Sequence, residues 1–264
     1  MPDQTEKIQK PAQVDRGTKT ISIPQPAYEP MTLPSRGKFY DPVIPDGLIH
    51  IRPMTVGEEK ILTTPSLVKT GEAIDMIFKN CIKEKIDIDN LLAADKTAIL
   101  FWLRAASYGR DYEISVKCPF CEYEFNRVID LETDITVNFY DDSFTEPITV
   151  ELPKAGTKAK VRLPRSRDEK FLSKRKTKKG RIDNALVERL NLLVVEIEGV
   201  EKEVKPIFIE NMTAYDASLL KEAIAKDYFG IDTELNLVCD NCGEEFELEI
   251  PIGENFFRVY QAPK

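Results

Sequence analysis

Cys118-Pro119-Phe120-Cys121 and Cys239-Asp240-Asn241-Cys242-Gly243 decide how this chain is read. Both cysteines of the second pair lie 121 residues beyond those of the first. Each pair sits between two alternating stretches. Tyr112-Glu113-Ile114-Ser115-Val116 precedes the first, and Glu124-Phe125-Asn126-Arg127-Val128-Ile129 follows it. Glu234-Leu235-Asn236-Leu237-Val238 and Glu245-Phe246-Glu247-Leu248-Glu249-Ile250 flank the second. Period-two alternation on both sides of a Cys-x-x-Cys turn predicts a β-hairpin whose turn aims two thiolates at one point. One such knuckle supplies two of the four ligands of a structural zinc site. Two knuckles supply Cys118, Cys121, Cys239 and Cys242, an all-cysteine tetrahedron for one zinc per chain. The gap is far longer than the roughly 15–20 residues inside an ordinary ribbon, so a shared site requires the two halves of the chain to fold together. A disulfide within each pair, a thioredoxin-like redox couple and metal-free cysteines are the alternatives. Cys81 falls on an apolar helical face with Ile74, Ile77, Phe78 and Ile82 and reads as a small core residue.

The match between halves extends outward from the cysteines. Ile51-Arg52-Pro53-Met54-Thr55-Val56-Gly57-Glu58-Glu59-Lys60-Ile61-Leu62 aligns with Val161-Arg162-Leu163-Pro164-Arg165-Ser166-Arg167-Asp168-Glu169-Lys170-Phe171-Leu172 at an offset of 110. Apolar-periodic helices over 72–83 and 181–195 follow. An extra segment, 196–204, reads as a hairpin and raises the offset to 121. Asn90-Leu91 then aligns with Asn211-Met212, Asp95 with Asp216, and Tyr108-Gly109 with Phe229-Gly230. Each aspartate is expected to cap free N–H groups where its helix opens. The expected fold is α+β: two repeated helical lobes, each ending in a Cys-x-x-Cys hairpin, with the hairpins joined as a four-cysteine zinc ribbon. Residues 45–140 form the first repeat and 141–264 the second. Residues 1–44 carry prolines at 2, 11, 24, 26, 30, 34 and 42 and read as an extended arm, either a disordered tail or a peptide lying along a partner.

Composition narrows the function. The chain has 264 residues and a net charge of −8, which argues against a general nucleic-acid coat. The densest apolar run, 98–103, is too short to span a membrane, and the polar start carries no secretory signal, so a cytoplasmic origin is expected. The single histidine, His50, removes most histidine-dependent nucleophilic and metal chemistry, and no phosphate loop or GxGxxG turn is present. A non-enzymatic role is expected. Residues 162–181 hold ten basic and two acidic residues, net +8, which leaves −16 on the rest. That segment is a solvated loop, a dock for an acidic partner or sister copy, or a nucleic-acid contact. The helix carrying Phe101-Trp102-Leu103-Arg104 is either core or, through Trp102 or Arg104, a partner contact.

The order of motifs is similar to a known family. Leu33-Pro34-Ser35-Arg36-Gly37-Lys38-Phe39-Tyr40 comes first, then Ile51-Arg52-Pro53-Met54-Thr55 and Glu58-Glu59-Lys60-Ile61-Leu62. Asp95, Phe101-Trp102-Leu103-Arg104, Ser107-Tyr108-Gly109 and the first cysteine pair follow. Together they resemble the bacteriophage T4-type baseplate proteins, which serve in assembly of the baseplate hub of contractile tails. The resemblance implies a hub component or a hub-assembly chaperone, with other baseplate or tail proteins and a second copy of itself as candidate partners. It implies residence in the host cytoplasm during assembly and a candidate place in the virion tail, and it brings no catalytic residues. The competing reading is a zinc-ribbon nucleic-acid-binding or transcription accessory protein that uses residues 162–181.

Overall fold

A computed structural model describes residues 26–173, 184–226, 228–252 and 256–257. The chain enters as β1 (Glu29–Thr32), antiparallel to β2 (Leu48–Ile51) with Met31 opposite Ile49. Thr55 then caps α1 (Val56–Leu62) in a reciprocal box with Glu58, the local signal that starts a helix there. Next come α2 (Pro65–Thr70) and α3 (Glu72–Cys81), which buries Ala73, Ile77, Phe78 and Cys81 along one stripe. α4 (Ala93–Tyr108) buries Ile99, Leu100, Phe101 and Leu103 and is therefore covered on more than one face. Arg104 on α4 is fully buried rather than a partner contact. Its guanidinium donates to the carbonyls of Gly109 at 2.6 Å and Asp111 at 2.9 Å, at the end of the helix where carbonyls lack partners. The first hairpin, β3 (Asp111–Lys117) and β4 (Glu124–Asp130), leads to β5 (Val137–Asn138).

The second half repeats much of this order. β6 (Ile148–Leu152) and β7 (Thr157–Val161) pair antiparallel and are followed by α5 (Ser166–Ser173) and α6 (Ala185–Leu193). β8 (Val194–Ile197) adds to β7, so the sheet order is β6-β7-β8. The extra segment is therefore one strand and a turn rather than a hairpin. Val194 and Ile197 bury against the second core, and a bridge from Ile197 to Val200 closes the turn. α7 (Lys205–Asn211), α8 (Ala214–Ala225), β9 (Gly230–Ile231) and the hairpin β10 (Glu234–Val238) to β11 (Glu245–Glu249) complete the described chain.

The arm differs from expectation from residue 29 onward; residues 1–25 lie outside the described residues. Pro30 is tolerated because β1 is an edge strand. Beyond it Leu33 and Ser35 are fully buried, and Tyr40 is buried beside them. Asp95 draws this segment inward. Its carboxylate accepts from the Ser35 N–H at 2.9 Å, the Ser35 hydroxyl at 2.5 Å and the Tyr40 hydroxyl at 2.5 Å. Asp216 likewise accepts the backbone N–H groups of Lys154 at 3.1 Å and Ala155 at 2.9 Å. Both aspartates thus bind a neighbouring turn instead of capping their own helices. The two turns share a pattern, Leu33-Pro34-Ser35-Arg36-Gly37 and Leu152-Pro153-Lys154-Ala155-Gly156. The apolar interior forms two clusters. One holds β1, β2, α3, α4 and both hairpins; the other holds β6–β8 and α6–α8. Packing therefore crosses the chain boundary expected at residue 140, because the second hairpin buries Leu235, Leu237 and Ile250 in the first cluster.

Candidate metal centre

The two knuckles have the same local build. The Cys118 N–H donates to the Tyr123 carbonyl at 2.9 Å and the Glu122 N–H to the Cys118 carbonyl at 3.0 Å. In the second knuckle the Cys239 N–H donates to Glu244 at 3.0 Å and the Gly243 N–H to Cys239 at 3.0 Å. The residue after the second cysteine turns through left-handed backbone in both, with φ of 59° at Glu122 and 75° at Gly243. Gly243 takes this conformation without a Cβ penalty. The turn also points the N–H of Phe120 at the Cys118 sulfur and that of Asn241 at the Cys239 sulfur, each at 3.4 Å. The Asn241 carboxamide reaches across to the Cys121 sulfur at 3.6 Å.

All four predicted cysteines meet at one point. The four sulfurs lie within 4.8 Å of one another. Cys118 and Cys242 are 3.8 Å apart, and Cys121 and Cys239 are 3.6 Å apart. A tetrahedron of sulfurs about 2.3 Å from a central ion has edges of about 3.8 Å, so the spacing fits a four-thiolate metal site. It is far from the roughly 2.05 Å of a disulfide, and all five cysteines are free. Cys118 and Cys239 are buried, Cys121 is half-buried and Cys242 is exposed, so one side of the site is sealed by the hairpins and the other faces solvent. The Tyr123 backbone and the Asn241 carboxamide pull the Cys121 thiol down to about 6. Backbone donors at Cys242 and Asn241 lower Cys239. At Cys242 the Glu244 backbone favours thiolate, but desolvation and the neighbouring thiols outweigh it and push the group up to about 12. A divalent ion held here would be ligated by all four sulfurs as thiolates. An ion held by all four would have no open position for a substrate.

The hairpins are held together around the sulfurs. Arg127 donates to the Val238 carbonyl at 3.2 Å and to Asp240 at 2.9 Å, and the Tyr112 hydroxyl donates to the Pro251 carbonyl at 2.8 Å. Cys81 lies apart, fully buried, with its thiol pushed up to about 12 by desolvation, as befits a core residue. Of the basic segment, 174–181 lies outside the described residues. Within the described part Arg162 pairs with Asp168 and Arg165 with Glu146, and Lys170 pairs with Asp75 and Asp89. Among the described residues no helix is long and apolar enough to cross a membrane.

Sequence reading missed an aromatic cluster that fastens the end of the arm. Phe39 stacks on Phe229 with centroids 5.8 Å apart and meets Tyr140 and Phe144 edge-on. The available signal was the run of aromatics at 139, 140 and 144 in a polar stretch. Residues 28–258 match the protein family described as T4 bacteriophage base plate protein. No curated protein and no solved structure matches the chain. The family match begins just before β1 and runs through both knuckles to the last described residues, and the chain belongs to the T4 bacteriophage base plate protein family.

Proposed function

We propose that this baseplate protein is a non-enzymatic part of the baseplate hub or a factor that assembles it, working through protein–protein contacts on a body clamped by one structural zinc. The observation that carries the reading is the closed set of four sulfurs at tetrahedral spacing in a chain of the baseplate family. An all-cysteine tetrahedron suits zinc, with iron as the chemical competitor. In this reading the chain is an internal duplication. Several contacts recur at equivalent positions and support it. Arg52 forks onto Glu58 at 3.0 and 3.3 Å, as Arg162 does onto Asp168 at 2.7 and 2.6 Å. The Thr55 N–H donates to Glu58 at 2.8 Å, as the Arg165 N–H does to Asp168 at 2.8 Å. The protein acts in the host cytoplasm while the tail is built, and its partners are other baseplate and tail proteins.

Two measurements test this. Metal analysis of chain purified without chelator is expected to return one zinc per chain; iron would overturn the zinc assignment, and no metal would remove the clamp. A nuclease-treated pull-down from producing cells is expected to recover tail and hub proteins. Probing purified particles then separates a hub subunit from a chaperone that leaves. Recovery of polymerase subunits or nucleic acid instead would refute the assembly reading.

A further inference from the structure

The two lobes touch through a short backbone exchange. The Ser166 N–H donates to the Leu91 carbonyl at 2.8 Å, and the Ala93 N–H donates to the Pro164 carbonyl at 3.0 Å. A bridge between Leu92 and Arg165 lies between these bonds, and Lys170 on α5 pairs with Asp89 beside them. Under the repeat offsets of 110 and 121, 164–166 correspond to 54–56 and 91–93 correspond to 212–214. Lys170 corresponds to Lys60, and Asp89 to Glu210.

The counterpart surfaces are both present and both open. Ser166 is fully buried by the lobe contact, whereas Val56 is 68% exposed. Leu92 is buried, whereas Thr213 is exposed. Among the described residues the Val56 and Ala214 N–H groups and the Met54 and Met212 carbonyls make no backbone hydrogen bond. Lys60 and Glu210 are exposed and form no ion pair there. One surface thus carries the lobe-two half of the contact in its lobe-one version, and another carries the complementary half.

We propose that a second copy of this chain docks head-to-tail, with residues 54–56 and Lys60 of one copy meeting residues 212–214 and Glu210 of the next, in the manner of the internal lobe contact. Such an interface is heterologous, so it builds rings or open stacks rather than closed pairs. The inference rests on the duplicated-lobe reading above. Inside the chain the contact is favoured by covalent tethering, which for a short flexible tether is worth roughly millimolar concentration; between copies it is weaker and concentration-dependent.

Sedimentation of the purified, metal-loaded full chain, followed to about 1 mM, the range a tether supplies, tests the inference. The expected result is mass rising above the monomer with concentration. Lys60→Glu and Glu210→Lys each place like charges at every junction and should weaken association about fivefold or more. Both sites are exposed, so the thermal melt should not move. An equimolar mixture of the two variants restores opposite charges at every junction when they alternate, and association should return. A monomer throughout, association indifferent to both variants, or a mixture that stays dissociated would each overturn the proposal. None of these outcomes bears on recovery of tail proteins from cells, and a chain that self-associates yet recovers none would fail the assembly reading alone.

Discussion

Removing the cysteine clamp should loosen the molecule by an amount that can be worked out from chain length. Cys121 and Cys239, held 3.6 Å apart, are 118 residues apart in sequence. A cross-link closing a loop of that length lowers the entropy of the unfolded chain by an amount equivalent to about 5 kcal/mol at 25 °C, an upper value because residual structure in the unfolded chain reduces it. For a chain of this size about 1 kcal/mol moves Tm by roughly 2–4 °C, so loss of the clamp should lower Tm by about 10–20 °C. The fold should survive, since the second hairpin still buries Leu235, Leu237 and Ile250, and Arg127 still holds Asp240. The assay is a thermal melt of three samples: loaded chain, chelated chain and the double variant Cys239→Ser/Cys242→Ser, with metal content measured on each. Chelation should shift the first to the second and leave the variant unmoved. A chelated sample free of metal that melts within about 2 °C of the loaded one would refute the reasoning, because the four sulfurs would then be joining nothing.

Three further outcomes follow from individual contacts. Burial works against the Glu58 carboxylate, but the Arg52 fork and the Thr55 N–H hold it down at about 2. Its stabilisation is therefore complete above the unfolded carboxyl range near pH 4–5 and is lost as pH falls toward 2. Glu58→Gln should flatten that acid loss in urea midpoints taken from pH 7 to pH 2, and an unchanged acid slope would contradict it. Tyr40→Phe removes a buried hydroxyl that donates to Asp95 at 2.5 Å and accepts the Leu92 N–H at 3.1 Å. The Leu92 N–H is left without its acceptor while Asp95 keeps the Ser35 hydroxyl, so the cost should be about 1–3 kcal/mol in a denaturant titration. Gly37→Ala places a Cβ 2.1 Å from the Ile44 carbonyl oxygen at a φ of +68°. It should destabilise by more than about 2 kcal/mol, and a soluble variant with an unaltered urea midpoint would show that the turn is slack.

The hairpins and their cysteines were legible because their signals are local. A period-two pattern and a turn of fixed spacing need no knowledge of the rest of the chain, and the shared offset of 121 linked them. The end of the arm was misread because its prolines speak only about helix, whereas its placement depends on Asp95, some sixty residues away. Its pairing with β2 could have been anticipated from Leu-Pro-x-x-Gly, which recurs at 152–156 before β7. For Arg104 the core alternative holds, and what the sequence could not supply was the reason: the carbonyls of Gly109 and Asp111 that take its guanidinium. The strand β8 was mistaken for half of a local hairpin because a strand's partner, here β7, is set by packing rather than by the strand's own residues.

Read as a duplication, the chain carries two different symmetries that one copy cannot satisfy together. Exchanging the halves sends Cys118 to Cys239 and Cys121 to Cys242, so the close sulfur pairs 118–242 and 121–239 map onto each other, as a twofold arrangement requires. The lobe contact does not behave this way, because exchange turns 91–93 against 164–166 into 212–214 against 54–56, which are unpaired among the described residues. Unequal connectors make the combination feasible. Only residues 109 and 110 separate α4 from β3, whereas 226–233 separate α8 from β10 and include β9, which is anchored to β5. The longer connector gives the second hairpin more reach from its helix than the first hairpin has. In that reading a molecule closed at its hairpins and unclosed at its lobes is left with two complementary, unmatched halves of the contact, an arrangement suited to repeated addition of subunits.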